Sequence, residues 1–482
     1  MRRIPTALAA VVALVGSTAA LPATADLGAL AAGGAGAGQQ TVCLPDDVAA
    51  TAGAPLTSDN VEYVCTIPLE APGNAGNVTT VDGRTRLYVS SRTGIGIYDV
   101  TDPTAITLEG RLPFQHWQNE DTSVSTDGTR LVVAADGGPP FPDQVSRGLF
   151  VFDVSDPADI TLVGVHPDAP HTASCADDGC TVLYASNGSI YDASGATAPI
   201  ALQDGIVAAR TGQARGIVKK GTFTAKLGGG TVASLHAVQR DASGLITTDS
   251  NPRLILDPRE DPLAPTIVAQ FSPDPRDPRL QHGNLRPDAD AYTPRDPQAP
   301  VGPLADDPLR TGELLVTSSE SNFNPNCNNA GSVATWDLRG FDQGRTPKLL
   351  EVFRPVNGLP PSENPVANGP GCSAHWFDYE DGLLASAFYD HGTRFLDIDP
   401  ETGRIAQVGW FQPRGGIATA TFWGADGYAF TVDNARGIDV VRLDTEAPTP
   451  SADAFLASWL RPATAERAVA TELQRWCVLG AG

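Results

Sequence analysis

Basic residues are scarce in this 482-residue sequence, in which 33 lysines and arginines face 56 aspartates and glutamates and the formal net charge is −23. A negative field of this size repels nucleic acids and anionic membranes. Long apolar runs are also absent beyond the first 25 residues. No later segment reaches the ~20 apolar residues that a membrane-spanning helix needs. We therefore expect neither a nucleic-acid partner nor membrane insertion of the mature chain.

The sequence also lacks the short motifs of common catalytic sites. It contains no G-x-S-x-G nucleophile elbow, no H-E-x-x-H zinc motif and no Walker phosphate loop. The triple glycine from Gly228 to Gly230 precedes a predicted strand, so it cannot hold a phosphate at a helix N-terminus. These absences exclude the usual signatures of serine hydrolases, zinc proteases and nucleotide-binding enzymes.

The N-terminus has the pattern of a secretory signal peptide. Arg2 and Arg3 precede an apolar run from Ala7 to Leu21, and Ala23-Thr-Ala25 supplies small residues at a cleavage site. We expect removal of residues 1–25 and a secreted protein, extracellular or cell-wall associated. No cysteine stands directly after the cleavage site, which argues against a lipoprotein anchor, while an uncleaved signal anchor is the alternative. Residues 26–60 are predicted to be a linker and N-terminal extension.

All seven cysteines lie in the predicted mature chain, and disulfides persist in the oxidising environment that an exported protein meets. Cys175 and Cys180 flank a tight turn and can staple a hairpin. Cys327 and Cys372 enclose a single repeat and form the next predicted pair. One of the remaining three stays unpaired, and the sequence leaves open whether it is Cys43, Cys65 or Cys477. A zinc site at Cys175 and Cys180 is the alternative, although no second pair stands at ligand spacing.

One sequence pattern recurs along the chain. Leu87-Tyr-Val-Ser90 with Ile97-Tyr-Asp-Val-Thr-Asp-Pro103 matches Leu131-Val-Val-Ala134 with Val151-Phe-Asp-Val-Ser-Asp-Pro157, and five weaker copies follow. Seven repeats of roughly 40 to 50 residues, each with about four short strands, predict an all-β, seven-bladed β-propeller over residues 61–444. Residues 445–482 have a helix-forming composition and are predicted to be a partly helical tail.

The ends of the repeat array complement each other. The seventh copy stops after Val441 without a fourth strand, while Val61-Glu-Tyr-Val-Cys-Thr-Ile-Pro68 precedes the first copy and resembles the missing strand. We predict that this N-terminal strand completes the last blade, because ring closure removes an exposed sheet edge. A two-sheet sandwich is the alternative, and it leaves the mismatch of the ends unexplained.

On the strings from Ile97 to Pro103 and from Val151 to Pro157, the chain resembles the LVIVD-repeat proteins, which are bacterial and archaeal secreted or surface propellers. The resemblance covers most of residues 61–443, implies the propeller fold and implies little about activity. The aspartates of these strings are either calcium ligands or turn residues, and we favour turns. They are Asp99, Asp102, Asp153 and Asp156.

Four consecutive repeats carry a histidine at one register, although the chain has only seven histidines. They are His171, His236, His282 and His375, and in the second repeat Asp121, beside Glu120, holds this register. Side chains at the start of the inner strands surround a propeller's central channel. Imidazoles and a carboxylate meeting there would suit one copper, zinc, iron or manganese ion. Alternatively, each histidine hydrogen-bonds the backbone of a neighbouring blade, fixes the packing of the ring and is structural.

The predicted centre is similar, in geometry only, to the selenium-binding-protein and methanethiol-oxidase propellers, in which histidines of several blades surround an axial metal. Two further histidines are weaker candidates. His116 stands on the approach to the same channel mouth, and His391 is expected to be superficial at a turn.

Two functions of different classes are compatible with these residues. The first is a binding or scaffold protein for a protein, glycan or small-molecule ligand, with a metal site on the propeller axis. The second is a metal-dependent enzyme, an oxidoreductase or a hydrolase, that uses the axial histidines on a small molecule. A fold alone does not specify chemistry, so the geometry of the axial residues has to decide.

Overall fold

The computed structural model describes residues 39–40, 55–136, 146–223, 235–277, 280–321, 327, 331–355, 371–413 and 416–449. The predicted signal peptide, most of the predicted linker and the predicted helical tail lie outside these residues. The chain divides into the units Met1–Gly36 and Ala37–Gly482, and every described residue belongs to the second.

Seven antiparallel sheets form the seven blades of a β-propeller, which confirms the predicted fold. Blades 1 to 3 contain, in chain order, Gly73–Val81, Arg84–Ser91, Gly94–Asp99 and Thr107–Pro113; Thr122–Val124, Arg130–Ala135, Gly148–Asp153 and Thr161–His166; Ala173–Cys175, Val182–Ala185, Ser189–Asp192 and Val218–Thr222. Blades 4 to 6 contain Val238–Arg240, Ile246–Thr248, Arg253–Asp257 and Thr266–Phe271; Leu280–Leu285, Leu314–Glu320, Val333–Asp337 and Lys348–Phe353; Phe377–Glu380, Leu383–Ala387, Thr393–Ile398 and Ile405–Gln412. Blade 7 contains Ala418–Trp423, Tyr428–Asp433, Gly437–Leu443 and Val61–Ile67.

The N-terminal strand closes the ring as predicted. Val61–Ile67 pairs antiparallel with Gly437–Leu443, from Val61 opposite Leu443 to Ile67 opposite Ile438. Two shorter strands of the N-terminal segment also add to blades. Gln39–Gln40 pairs with the outer strand of blade 1, and Leu56–Thr57 pairs with the outer strand of blade 6.

The middle strands of the blades are buried on both faces rather than on one. Leu131 to Ala135 and Leu149 to Phe152 in blade 2 are fully buried. Neighbouring blades cover both faces of each sheet, and apolar side chains of blade 1 pack against those of blade 2. Such strands consist of continuous apolar residues, while the alternating pattern is confined to strands with one solvated face.

Three connections depart from plain turns. Helix α1, Leu202–Arg210, joins the last two strands of blade 3 and packs against the outer strand of blade 2 through Gly205 and Leu162. The long loop at 287–311 is held by the buried Arg295, which binds Glu313 and Asp307. Short 3-10 helices span Pro157–Asp159, Ala289–Ala291, Phe341–Gln343 and Ala425–Gly427. No helix of the described residues has the length and apolar character of a membrane span.

Both predicted disulfides are present, as Cys175–Cys180 and Cys327–Cys372. Cys65 is disulfide-bonded as well, and Cys43 and Cys477 lie outside the described residues. The four repeat aspartates form turns as expected. Each carboxylate accepts a hydrogen bond from the backbone N–H two residues later, at 3.0 Å for Asp99, 2.9 Å for Asp102, 3.0 Å for Asp153 and 2.9 Å for Asp156.

Candidate metal centre

The four register histidines stand at the entry to the inner strands of blades 3 to 6. His171, His236 and His375 each precede their inner strand by two residues, and His282 lies within Leu280–Leu285. The ladder of blade 5 shifts register between Gln281 and Asn284, which places His282 at an irregularity of the strand. Irregularities of this kind re-aim a side chain. The inner strands contact one another around the axis, so equivalent positions of adjacent blades become neighbours.

All four imidazoles converge on one oxygen atom, Oε2 of Glu120. The Nε2 atoms of His171, His236, His282 and His375 lie 2.9, 3.3, 3.6 and 3.9 Å from it. The rings of successive histidines are 4.5, 4.2 and 3.9 Å apart between centroids. Glu120 and three of the histidines are buried, and only His171 keeps a small exposed edge. The histidines therefore form an arc around a buried carboxylate.

Hydrogen bonds on the outer side of the arc orient two of the rings. Asp136 accepts from His171 Nδ1 at 2.8 Å, and the carbonyl of Thr419 accepts from His375 Nδ1 at 2.5 Å. Both contacts leave Nε2 directed at the centre, as in metal sites whose ligating histidines are held by carboxylates or carbonyls. The side-chain amide of Gln118 donates to Oε1 of Glu120, which fixes the carboxylate.

The alternative, in which each histidine binds the backbone of a neighbouring blade, describes only one of the four histidines. His375 does bind the backbone of the neighbouring blade, through Thr419 of blade 7. His171 instead binds a carboxylate. Among the described residues, His236 Nδ1 and both ring nitrogens of His282 lack a hydrogen-bond partner although they are buried. Buried polar atoms without a partner are rare and point to a missing water or ion.

The electrostatics of the cluster favour a cation. Burial disfavours the charged forms of both Glu120 and His171. Attraction to His171 nevertheless holds the pKa of Glu120 well below its usual range, and attraction to Glu120 and Asp136 raises the pKa of His171 well above its usual range. Burial lowers the pKa of His236 and of His282, and that of His375 to about 4. The Glu120 carboxylate is thus paired with the cationic His171 and surrounded by three neutral imidazoles.

A third carboxylate and a phenol flank the arc on the side of blades 5 and 6. A carboxylate oxygen of Glu320 lies within 4.8 Å of ring nitrogens of His236 and His282. The Tyr389 hydroxyl donates to Glu320 Oε1 at 2.5 Å, and its ring lies 4.9 Å from that of His375. Glu320 is the last residue of the second strand of blade 5. Asp136 directly follows the second strand of blade 2, and Tyr389 lies two residues after the second strand of blade 6. This common position, at or just after the end of a second strand, is the sequence signal by which these residues could have been found.

Asp121, the predicted carboxylate ligand, points away from the histidines. It accepts hydrogen bonds from Ser174 and from Ser123, the latter at 3.3 Å. Burial raises its pKa to about 6. The adjacent Glu120 faces the arc instead, because successive residues of an extended chain project to opposite sides.

The two weaker histidine candidates lie apart from the arc. His116 is buried between Ser90 Oγ, at 2.9 Å, and the Phe114 carbonyl, at 2.8 Å. Burial lowers its pKa to about 4. His391 is at a turn as predicted, but the expectation of a superficial position is wrong because its side chain is completely buried, with Nδ1 2.5 Å from Asp390 Oδ1.

Asp249, at the end of the second strand of blade 4, gives the protein a specific pH dependence. It is fully buried, and burial raises its pKa to about 7 although Arg253 and Asn284 contact it. Because the folded pKa exceeds the unfolded one, the wild type loses stability as the pH rises from 5 to 8. The unfolding free energy of Asp249→Asn minus that of wild type should therefore increase by about 2 kcal/mol between pH 5 and pH 8, as measured by urea unfolding at each pH.

The matched control is Asp257→Asn, at an aspartate whose pKa is lowered by contacts with Arg259. Its difference from wild type should stay constant between pH 5 and 8, since that carboxyl is ionised in both states throughout. A constant difference for Asp249→Asn would contradict the assignment of Asp249 as the protonated group.

The donor set suits one first-row transition-metal ion. Two nitrogens bound in cis positions at about 2.1 Å from a shared ion are about 3.0 Å apart, and His171 Nε2 and His236 Nε2 are 3.0 Å apart. Imidazole and carboxylate donors are the ligands of zinc, copper, iron and manganese. When bound, such an ion would act as a Lewis acid.

No protein family matches the sequence, and no curated protein resembles it. Among solved structures, the crystal structure of the Cps50 (Swd1) β-propeller domain from Myceliophteria thermophila is similar, with a TM-score of 0.49 and 13% sequence identity over 80% of this chain and 100% of that chain.

Proposed function

We propose that this protein is a transition-metal-binding propeller whose axial ion is held by His171, His236, His282 and His375 together with Glu120. The observation that carries the proposal is the convergence of four Nε2 atoms within 3.9 Å of one carboxylate oxygen. In the absence of an ion His171 donates from both ring nitrogens. Metal binding therefore displaces a proton, and affinity falls as the pH is lowered.

The test is elemental analysis of the untagged, purified protein by mass spectrometry. We expect about one copper, zinc, iron or manganese ion per chain, because the converging donors provide a single centre. Protein stripped with a chelator should recover the same stoichiometry with added metal. Metal-free protein that also refuses added metal would overturn the proposal and leave a structural ring.

Around this centre we propose the role of a secreted or cell-surface binding protein related to the LVIVD-repeat propellers. The repeat strings support the relationship, and the N-terminal pattern of residues 1–25 supports export. The disulfides are compatible with an oxidising environment. The rigid ring of blades is suited to presenting a surface or channel to a protein, glycan or small molecule.

A metal-dependent enzyme is the second candidate, either an oxidoreductase or a hydrolase. The exposed edge of His171 favours it, because an ion there is reachable from solvent while the other three histidines are closed off. Oxidase and hydrolase assays of metal-loaded and stripped protein decide between the two functions. Turnover that requires the ion supports the enzyme, and equal rates in both preparations eliminate it.

A further inference from the structure

Basic residues, which are scarce in the chain as a whole, are concentrated around the outer strand of blade 3. The sequence has no acidic residue between Asp204 and Asp241 but six basic ones, although acidic residues outnumber basic ones by 56 to 33 in the whole chain. The six are Arg210, Arg215, Lys219, Lys220, Lys226 and Arg240, and all but Lys226 lie within the described residues. This segment is thus a local exception to the negative field of the protein, and it attracts anionic groups.

The basic side chains in and beside the strand Val218–Thr222 are on the surface. Arg210 ends helix α1, Arg215 lies in the connection that follows, and both are exposed. Neither guanidinium forms an ion pair with a described residue. The side chains of Lys219 and Lys220 are 43% and 39% exposed, and each binds one aspartate, at 2.9 and 3.1 Å. We call these four side chains and the strand the basic edge.

The strand of the basic edge is an open sheet edge. One side of Val218–Thr222 pairs with Ser189–Asp192, and no strand of the described residues pairs with its other side. All five of its residues are exposed, which is true of no other outer strand of the seven blades. Val218 is 54% exposed, and it is one of three large apolar side chains that stay exposed in the described part of the chain. An open edge with an exposed apolar side chain is a template for a further strand.

Outer strands of this propeller accept a further strand at two other blades. Gln39–Gln40 adds antiparallel to the outer strand of blade 1, and Leu56–Thr57 adds antiparallel to that of blade 6. Each of these additions covers two residue pairs. Blade 3 offers the same kind of edge over five residues, two of which are lysines. The edge of blade 3 therefore suits an extended segment of opposite charge.

We propose that the basic edge binds an extended acidic segment of a partner protein, which adds to blade 3 as a fifth, antiparallel strand. Backbone hydrogen bonds to Val218–Thr222 supply the affinity, as in other cases of strand addition. Carboxylates of the partner contact Arg210 and Arg215, and an apolar side chain covers Val218. The two arginines make these contacts without giving up an ion pair of their own.

A short acidic peptide segment fits the basic edge better than a long polyanion does. A charged polymer would continue from the edge onto the acidic remainder of the surface, where the negative field repels it. A peptide segment ends within the edge, and its backbone supplies the donors and acceptors that an open strand needs. The outer strand of blade 3 lies apart from the inner strands that carry the axial histidines. The proposal is therefore independent of the axial ion.

Binding of a fluorescein-labelled peptide to the full-length protein tests the proposal. The probe is an acidic peptide of about ten residues, in which glutamate alternates with valine and threonine, the residues that favour strands. We expect saturable one-to-one binding by fluorescence anisotropy, and slower amide hydrogen exchange at Val218–Thr222 but not at the outer strand of blade 4, Thr266–Phe271. The same peptide with a central proline should bind at least about 10-fold more weakly, because proline cannot donate to the ladder.

Two matched variants assign the charge contacts. Arg210→Gln/Arg215→Gln should weaken peptide binding at least about 5-fold at low salt, since two favourable contacts are lost. Arg310→Gln/Arg404→Gln removes two other exposed arginines that form no ion pair with a described residue, and should leave the affinity within about 2-fold of wild type.

Three results would overturn the proposal. The first is no binding of the peptide, which would mean that the edge lysines serve to prevent strand pairing. The second is equal binding of the proline-containing peptide, which would show attraction of charges without strand addition. The third is binding of phosphatidylglycerol vesicles, but not of the peptide, that is lost in Arg210→Gln/Arg215→Gln, which would make the basic edge a lipid-facing surface.

Discussion

Replacing both His171 and His375 with alanine is expected to reduce the metal content from about one ion per chain to less than about 0.1, a loss that elemental analysis measures directly. The two residues stand at opposite ends of the histidine arc, so the double variant removes half of the nitrogen donors and both rings that are oriented by a second hydrogen bond. His236, His282 and Glu120 would remain, too few donors on one side of the channel to hold an ion tightly.

The control for this experiment is His166→Asn, on the outer strand of blade 2. His166 contacts Tyr191 and Asp168, outside the arc. This variant should retain full metal content, and circular dichroism should show all three proteins to be folded. Undiminished metal in the double alanine variant would place the ion elsewhere in the molecule.

The second large effect is expected on stability, from Asp439→Ala in the ring-closing blade. Asp439 is fully buried, accepts a hydrogen bond from Thr66 of the N-terminal strand and forms an ion pair with Arg436 at 3.0 Å. Arg436 also donates to Thr66 at 3.0 Å. Removing the carboxylate leaves the guanidinium buried without its main partner, which costs about 3 kcal/mol. Guanidinium unfolding should show the loss.

An exposed ion pair supplies the comparison. Glu70 binds Arg111, and their side chains are 48% and 34% exposed. Glu70→Ala should lower the unfolding free energy by less than about 1 kcal/mol, because water and salt screen exposed pairs. Equal losses in the two variants would show that the Thr66–Asp439–Arg436 network contributes nothing beyond an ordinary surface contact.

The parts of the molecule that repeat were predictable from sequence. The seven blades, the closing strand at Val61 and the histidine register all follow from comparing copies of one unit, in which equivalent positions must occupy equivalent places. His171, His236, His282 and His375 meet because inner strands of adjacent blades are neighbours. Whether these residues bind a metal stays a prediction, since sequence and geometry give the donors and not the ion.

The parts that depend on direction or on long-range packing were not predictable. Glu120 and Asp121 are adjacent, and the sequence could not say which faces the axis, since a one-residue shift exchanges the two sides of an extended chain. Glu320 ends a second strand and Asp136 directly follows one, and the packing of neighbouring blades brings both to the arc. His391 looks like a turn residue, but the turn folds inward beside the disulfide.

Closure of blade 7 by a strand from the other end of the chain has a consequence for association. Thr66 and Asp439 are 373 residues apart in the sequence, so the ring stays open until nearly the whole chain has been made. During that interval the three C-terminal strands of blade 7 present the same edge to any Val61–Ile67 strand, including that of a second copy. Exchange of this strand would give domain-swapped dimers whose yield rises with concentration during refolding. Dilution during folding is thus what favours the closed monomer.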